Sequence, residues 1–132
     1  MKKFLIFCIF FSFSALALES SCINPTITIV LDQADSELFH PSRHGLTGAS
    51  YTPQKKQDHG YEIRVRNFIN DSAFYKLGLR EDDTILKTNI GTFETLNDVA
   101  KLMLGGIPFP HNCLYIRNVK NDLLTIKIEM KD

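Results

Sequence analysis

A stretch near the middle of the chain decides the fold, and its residues 71–86 read DSAFYKLGLREDDTIL. Asp71 and Ser72 are both of the residue types that cap helix amino termini, and the apolar residues after them fit a short helix. Gly78 is placed to end that helix in the left-handed conformation that glycine adopts without strain. Polar residues 80–83 predict a turn, and residues 84–88 predict a strand.

The segments on either side extend this pattern. Residues 61–66 alternate apolar and charged side chains, which predicts a half-buried strand. Thr95 begins the main helix, with Asp98 three residues later as a variant capping box. Residues 114–119 and 123–130 predict two strands joined by a turn in which Asn and Asp tolerate positive φ. One apolar stripe of the main helix comprises Leu96, Val99, Ala100, Met103 and Leu104.

The chain begins like a secreted protein. Two lysines precede an apolar run over residues 4–13, and a small-x-small motif ends at Ala17. This pattern predicts a signal peptide over residues 1–17, because the apolar segment is shorter than the roughly 20 residues of a membrane span. An uncleaved amino-terminal anchor is the alternative. The leader has a bacterial character, so we expect a periplasmic or secreted protein.

The part that follows the leader is less regular. Residues 26–31 are a β-branched run that predicts one strand. Between residues 32 and 59, proline and glycine recur without a hydrophobic period, which predicts loop with one short strand near Leu46. We therefore divide the chain into a leader over 1–17, an amino-terminal strand and loop segment over 18–59, and a folded domain over 60–132. The order of elements predicts a small α+β fold.

Size and charge exclude several classes of protein. The 132 residues suffice for one domain, and the 15 basic residues equal the 15 acidic ones. Cleavage of the leader removes two lysines and leaves 13 basic and 15 acidic residues, a net charge of about −2. No basic patch for nucleic acid or an anionic membrane follows from this composition.

Cysteine usage fits an oxidising compartment. Cys8 leaves with the leader, and the mature chain keeps an even pair, Cys22 and Cys113. We expect a disulfide between them. Two buried thiols are the alternative.

Residues 63–86, the capped helix from Thr95 and the closing hairpin together resemble a bacterial PDZ domain. The segment from Ala73 to Leu86 carries the resemblance most specifically, and it is most similar to the PDZ domain of the type II secretion system C component. The resemblance implies a small, partly open β-barrel or sandwich of five to six strands with one short and one longer helix. Asp82 stands where these domains have glycine, at a turn that needs positive φ.

The resemblance also implies a peptide-binding groove between a strand and the main helix, where an extended peptide adds as a further strand. A loop before that strand would bind the terminal carboxylate. The resemblance implies that this loop and the first strand of the domain lie near residues 43–50. The loop candidates are Arg43, His44, Gly45, Leu46, Thr47 and Gly48. The helix candidates are Leu96, Val99 and Met103, which we expect to divide between core and groove.

Catalytic and metal motifs are weak. The chain has no Gly-x-Ser-x-Gly motif, and the acidic run 81–83 is interpreted as a solvated turn because it lacks calcium-loop spacing. The four histidines are His40, His44, His59 and His111. They lack helical His-x-x-x-His spacing, so a zinc site stays a minor hypothesis beside solvated loop histidines. We expect no enzyme, no cofactor and no resident metal.

The sequence thus predicts a secreted or periplasmic PDZ-like module that binds a protein or an extended peptide, with type II secretion as one setting. The alternatives are a structural subunit of an envelope complex whose groove is filled by its own residues 18–40, an adaptor of a periplasmic protease, and a small metal-binding or hydrolytic protein. We expect no nucleic acid and no small-molecule substrate, and membrane association only through an envelope complex.

Overall fold

The computed structural model describes residues 22–37, 49–68 and 72–131; the predicted leader and the predicted loop over 43–48 lie outside these ranges. A single mixed sheet of six strands organises the chain, in the order β1-β6-β5-β4-β3-β2. The strands are β1 (Ile27–Leu31), β2 (Ser50–Lys55), β3 (Tyr61–Arg66), β4 (Thr84–Thr88), β5 (Cys113–Arg117) and β6 (Leu123–Met130). Only β1 and β6 pair in parallel. The α+β prediction is confirmed, and the sheet is open rather than closed.

Three helices lie within the described ranges: α1 (Gln33–Glu37), α2 (Ala73–Lys76) and α3 (Leu96–Met103). The sequence predicted α2 and α3 but not α1. None of these helices is long and apolar enough to cross a membrane.

Both predicted helix starts are confirmed by their caps. Ser72 Oγ accepts the N–H of Tyr75 at 3.1 Å, and Gly78 ends α2 with φ +95°. Thr95 Oγ1 accepts the N–H of Asp98, whose carboxylate in turn accepts the N–H of Thr95. Such reciprocal bonds satisfy two of the amide groups that a helix start leaves without partners.

The core lies where α2 and α3 pack on the sheet. Its side chains come from every strand except β2. The largest fully buried ones include Phe74 and Phe93 together with Leu77, Leu79, Ile63, Ile85, Leu102, Leu114 and Ile126. The helices and the two aromatic rings therefore cover one face of the sheet, and most of the hydrophobic stabilisation comes from this layer.

The acidic turn between α2 and β4 corrects one prediction. Asp83 is buried rather than solvated, and its carboxylate accepts the N–H of Arg80 at 2.8 Å. Burial raises the pKa of this carboxyl above its ordinary value. Asp82 has the predicted positive φ, +65°, and its carboxylate binds Arg64 and Arg66 at 3.0 and 2.8 Å. The turn thus fixes the end of β3 instead of only linking two elements.

Strand β2 corrects a second prediction, because the sequence placed residues 50–55 in loop. The strand pairs antiparallel with β3, with Pro53 opposite Ile63. None of its side chains is buried. A strand without a buried face has no alternating hydrophobic pattern, so β2 could not be predicted from the sequence.

The predicted disulfide is confirmed. Cys22 and Cys113 are bonded across 91 residues, with their Cα atoms 5.6 Å apart. The bond fixes the segment before β1 to the start of β5. Disulfides persist in oxidising environments, so this one is consistent with a periplasmic or secreted location.

Opening the disulfide is expected to lower the free energy of unfolding by about 2–5 kcal/mol, because the unfolded chain then regains the freedom of a long loop. Urea unfolding with and without dithiothreitol measures this difference. The variant Cys22→Ser is the control, since dithiothreitol should leave its stability unchanged. Equal stability of the oxidised and reduced wild type would contradict the prediction.

Replacing Asp82 tests its two roles. Asp82→Ala should lower the free energy of unfolding by about 1–2 kcal/mol, since alanine keeps the strain of positive φ and loses the ion pairs. Asp82→Gly loses the same ion pairs but relieves the backbone, so it should stay within about 0.5 kcal/mol of the wild type. Urea unfolding that finds both variants equally destabilised would refute the backbone explanation.

Candidate functional site

The residues predicted for the groove are distributed differently by the structure. Val99 and Met103 are 2% and 4% exposed and belong to the core, whereas Leu96 is 55% exposed. The two buried residues are four positions apart and so share one face of α3. Leu96 is therefore the predicted helix residue that a ligand can reach. The predicted carboxylate loop over 43–48 lies outside the described residues and immediately before the segment that leads into β2.

The outer edge of β2 is the first candidate surface. β2 is the terminal strand of the sheet. Val65 in β3 donates to the carbonyl of Asp83 and accepts from the N–H of Asp82, both at 2.9 Å, so its backbone faces β4. In an antiparallel sheet, successive residues of a strand turn their backbone groups to opposite sides. The backbone groups of Arg64 and Arg66, the neighbours of Val65, therefore face β2.

The same alternation applies within β2. Thr52 lies opposite Arg64, so its N–H and C=O groups pair with β3. Tyr51, Pro53 and Lys55 then turn their backbone groups away from β3, toward the outer edge. Pro53 has no N–H to present there, and proline is tolerated in a strand only at such an edge position. The outer edge thus carries N–H donors at Tyr51 and Lys55 and carbonyl acceptors at all three positions.

The start of α3 is fixed beside the turn that joins β2 and β3. Tyr61 N–H donates to the carbonyl of Phe93 at 2.7 Å, and His59 contacts Glu94 at 2.8 Å. A β-carbon on Gly60 would lie 2.8 Å from the Phe93 carbonyl oxygen, so only glycine permits this approach. Leu96, the first residue of α3, therefore follows a segment that is fixed to the end of the β2–β3 hairpin.

A second candidate surface is a cleft of about 610 Å³ along another flank of α3. Its lining comes from residues 90–93, 98, 101, 104–106 and 109–111, and we call it the His111 cleft. Three large apolar side chains of this lining are exposed: Ile90 (61%), Leu104 (47%) and Phe109 (80%). Scattered apolar residues are ordinary on protein surfaces, but three around one concave site are a feature of ligand pockets.

His111 is the most buried polar residue of this cleft, with 9% of its surface exposed. Its Nδ1 lies 2.7 Å from Thr88 Oγ1, and that hydroxyl oxygen accepts the N–H of Ile90 at 3.1 Å. If the Thr88 hydroxyl donates its one proton to Nδ1, then the Ile90 N–H, the Thr88 hydroxyl and Nδ1 of His111 each have a hydrogen-bond partner. That assignment places the ring proton on Nε2. Burial lowers the pKa of His111, so the neutral ring is favoured.

Two charged side chains of α3 also line the cleft, Asp98 and Lys101. The Asp98 carboxylate accepts the N–H groups of Glu94 and Thr95 at 3.0 and 3.1 Å. The N–H of Thr95 is the main cause of a lowered pKa at Asp98, and the charge of Lys101 contributes. Asp98 is thus committed to capping the helix, whereas Lys101 forms no direct salt bridge with any residue of the described ranges.

Sequence reasoning noted His111 only as a metal ligand candidate near Cys113. In the structure Cys113 is disulfide-bonded, and the described residues contain no group of three His, Cys, Asp or Glu side chains suited to a metal. The partner that matters is Thr88, which is 23 positions away. No local signal connects these two residues, so the sequence did not reveal the cleft.

The stability of the protein should fall as the pH drops from 7.5 to 5.5. Burial lowers the pKa of His111 in the folded state, so the unfolded state binds more protons in this pH range. Lowering the pH therefore stabilises the unfolded state relative to the folded one. Replacing His111 by glutamine should make the free energy of unfolding depend less steeply on pH, by the equivalent of up to about one bound proton. Urea unfolding of the wild type and of His111→Gln at both pH values measures this slope. An unchanged slope in His111→Gln would contradict the assignment.

No protein-family model and no curated protein matches this chain.

Proposed function

We propose that this protein is an exported PDZ-like module that binds an extended peptide, or an extended segment of a partner protein, along the outer edge of β2. One observation carries the proposal: β2 is the terminal strand, and it turns the backbone of Tyr51 and Lys55 outward. Backbone groups of this kind bind an added strand through main-chain hydrogen bonds. The predicted carboxylate loop over 43–48 immediately precedes the segment that leads into this strand.

The order of elements supports the PDZ-like assignment. Strand β3, the capped helix α2, strand β4, the capped helix α3 and the β5–β6 hairpin follow one another as the resemblance implies. The positive φ of Asp82, +65°, occurs where PDZ domains have glycine. In this proposal Leu96 supplies an apolar contact for a side chain of the peptide, while Val99 and Met103 hold the helix from the core side.

Export is the second part of the proposal. The leader over residues 1–17 predicts secretion, and the Cys22–Cys113 bond is consistent with an oxidising compartment. A role in type II secretion, or as an adaptor of a periplasmic protease, would place the module beside an envelope complex. The binding surface proposed is the same in either setting.

The alternative of a self-filled groove receives no support from the described part of residues 18–40. Strand β1 pairs with β6, at the opposite end of the sheet from β2. It therefore leaves the outer edge of β2 to other ligands.

Peptides selected from a random library with free carboxyl termini test the proposal. Tyr51→Pro removes one outward N–H without touching the bonds between β2 and β3. We expect it to weaken peptide binding about tenfold relative to Tyr51→Ala, which loses the ring but keeps the N–H. Isothermal titration measures both affinities, and thermal melts confirm that both variants are folded.

The helix side of the groove has its own matched pair. Leu96→Asp replaces the exposed apolar residue, and Asn97→Asp places the same charge at the next position of α3. Acidic residues are favourable in the first turn of a helix, so both variants should fold. Only Leu96→Asp should weaken peptide binding, by about three- to tenfold. Affinities that respond to neither Tyr51→Pro nor Leu96→Asp would overturn the proposed function.

A further inference from the structure

We propose that the His111 cleft is a binding site for a small organic acid, in which a carboxylate is attached to a compact apolar body. This site is separate from the proposed peptide groove and involves no reaction. It is also a departure from our expectation that only proteins or peptides would bind.

The polar side of the cleft is suited to a carboxylate. His111 lines the cleft, and the 2.7 Å contact between its Nδ1 and Thr88 Oγ1 holds the ring in place. In the tautomer in which Thr88 donates to Nδ1, the Nε2–H group is a donor for the ligand. Lys101 adds a positive charge on the helix wall of the same cleft. Asp98 also lines it, and its carboxylate binds the N–H groups of Glu94 and Thr95. Its negative charge opposes a ligand carboxylate, so the attraction of Lys101 and His111 must exceed this repulsion. A ligand carboxylate thus meets one N–H donor and one ammonium group.

The apolar side of the cleft is suited to a hydrocarbon body. Ile90, Leu104 and Phe109 expose 61, 47 and 80% of their surfaces and come from three separate parts of the lining. A bound apolar group would remove parts of all three from water, which is favourable in proportion to the area buried. The ligand therefore needs both a charged end and an apolar end.

The shape of the cleft favours a compact molecule over an extended peptide. Its volume of about 610 Å³ lies in the range of small-molecule pockets, roughly 300–1,000 Å³. Its walls are one face of α3, the connection from β4 to α3 and the connection from α3 to β5. In the β4–α3 connection, Thr92 and Phe93 form isolated bridges to Lys87 and Tyr61 and are not part of a named strand.

The two sites lie on different flanks of α3. Residues Leu96 and Asp98 are two positions apart, which is about 200° around a helix. Leu96 belongs to the proposed peptide groove, whereas Asp98 and Lys101 line the His111 cleft. A change at Lys101 should therefore leave peptide binding at β2 intact, and Tyr51→Pro should leave acid binding intact.

Titration of the ¹⁵N-labelled protein with 3-phenylpropionate tests the proposal, with 3-phenylpropanamide as the uncharged probe of equal size. We expect the acid to shift the amide signals of Gly91, Gly105 and His111 with a Kd of about 0.1–1 mM, as is usual for a ligand of this size. The amide should bind at least about tenfold more weakly.

Two variants assign the effect to the cleft. Lys101→Gln, at an exposed position, should weaken binding of the acid about five- to tenfold, and Lys101→Arg should restore most of it. Equal binding of acid and amide, signal shifts confined to residues outside the cleft, or no saturation at about 20 mM would each overturn the proposal. Tighter binding in this cleft by a peptide ending in phenylalanine would also overturn it, because the ligand would then be a protein chain.

Discussion

An open sheet must accommodate the backbone hydrogen-bonding groups of its two edge strands, and the rest of this domain depends on how it does so. At one end, β1 lies parallel along β6, and the segment before it is bonded through Cys22 to Cys113. At the other end, β2 turns the backbone of every second residue outward. The end at β1 is therefore covalently fixed, and the end at β2 presents backbone groups that can pair with a further strand.

Helix α3 links these features to the two candidate surfaces. Its first turn is fixed to the β2–β3 hairpin through Tyr61 and Phe93, and its far end lies against His111. A β-carbon on Gly106 would lie 2.7 Å from the His111 ring, so the helix end and the cleft are tightly packed together. The buried face of α3 holds it on the core, and the two candidate surfaces lie along its two flanks.

The sequence was most informative where the chemistry is local. Ser72 and Thr95 predicted two helix starts because a cap needs only residues three positions apart. Strand β2 was not predicted because none of its side chains is buried, so its sequence lacks an alternating hydrophobic pattern. The sequence predicted a solvated Asp83, but packing around the turn buries this residue. The His111 cleft brings together residues that are far apart in the chain, and a hydrophobic period carries no such information.

Amide hydrogen exchange along β2 shows whether its outer edge is free to pair with a peptide. We expect slow exchange at Thr52 and Gln54, whose N–H groups pair with β3, and fast exchange at Tyr51 and Lys55 in the free protein. Addition of a selected peptide should slow exchange at Tyr51 and Lys55 by at least about tenfold. Slow exchange at these two amides before any peptide is added would mean that the outer edge of β2 is already occupied, and it would refute the proposed peptide site.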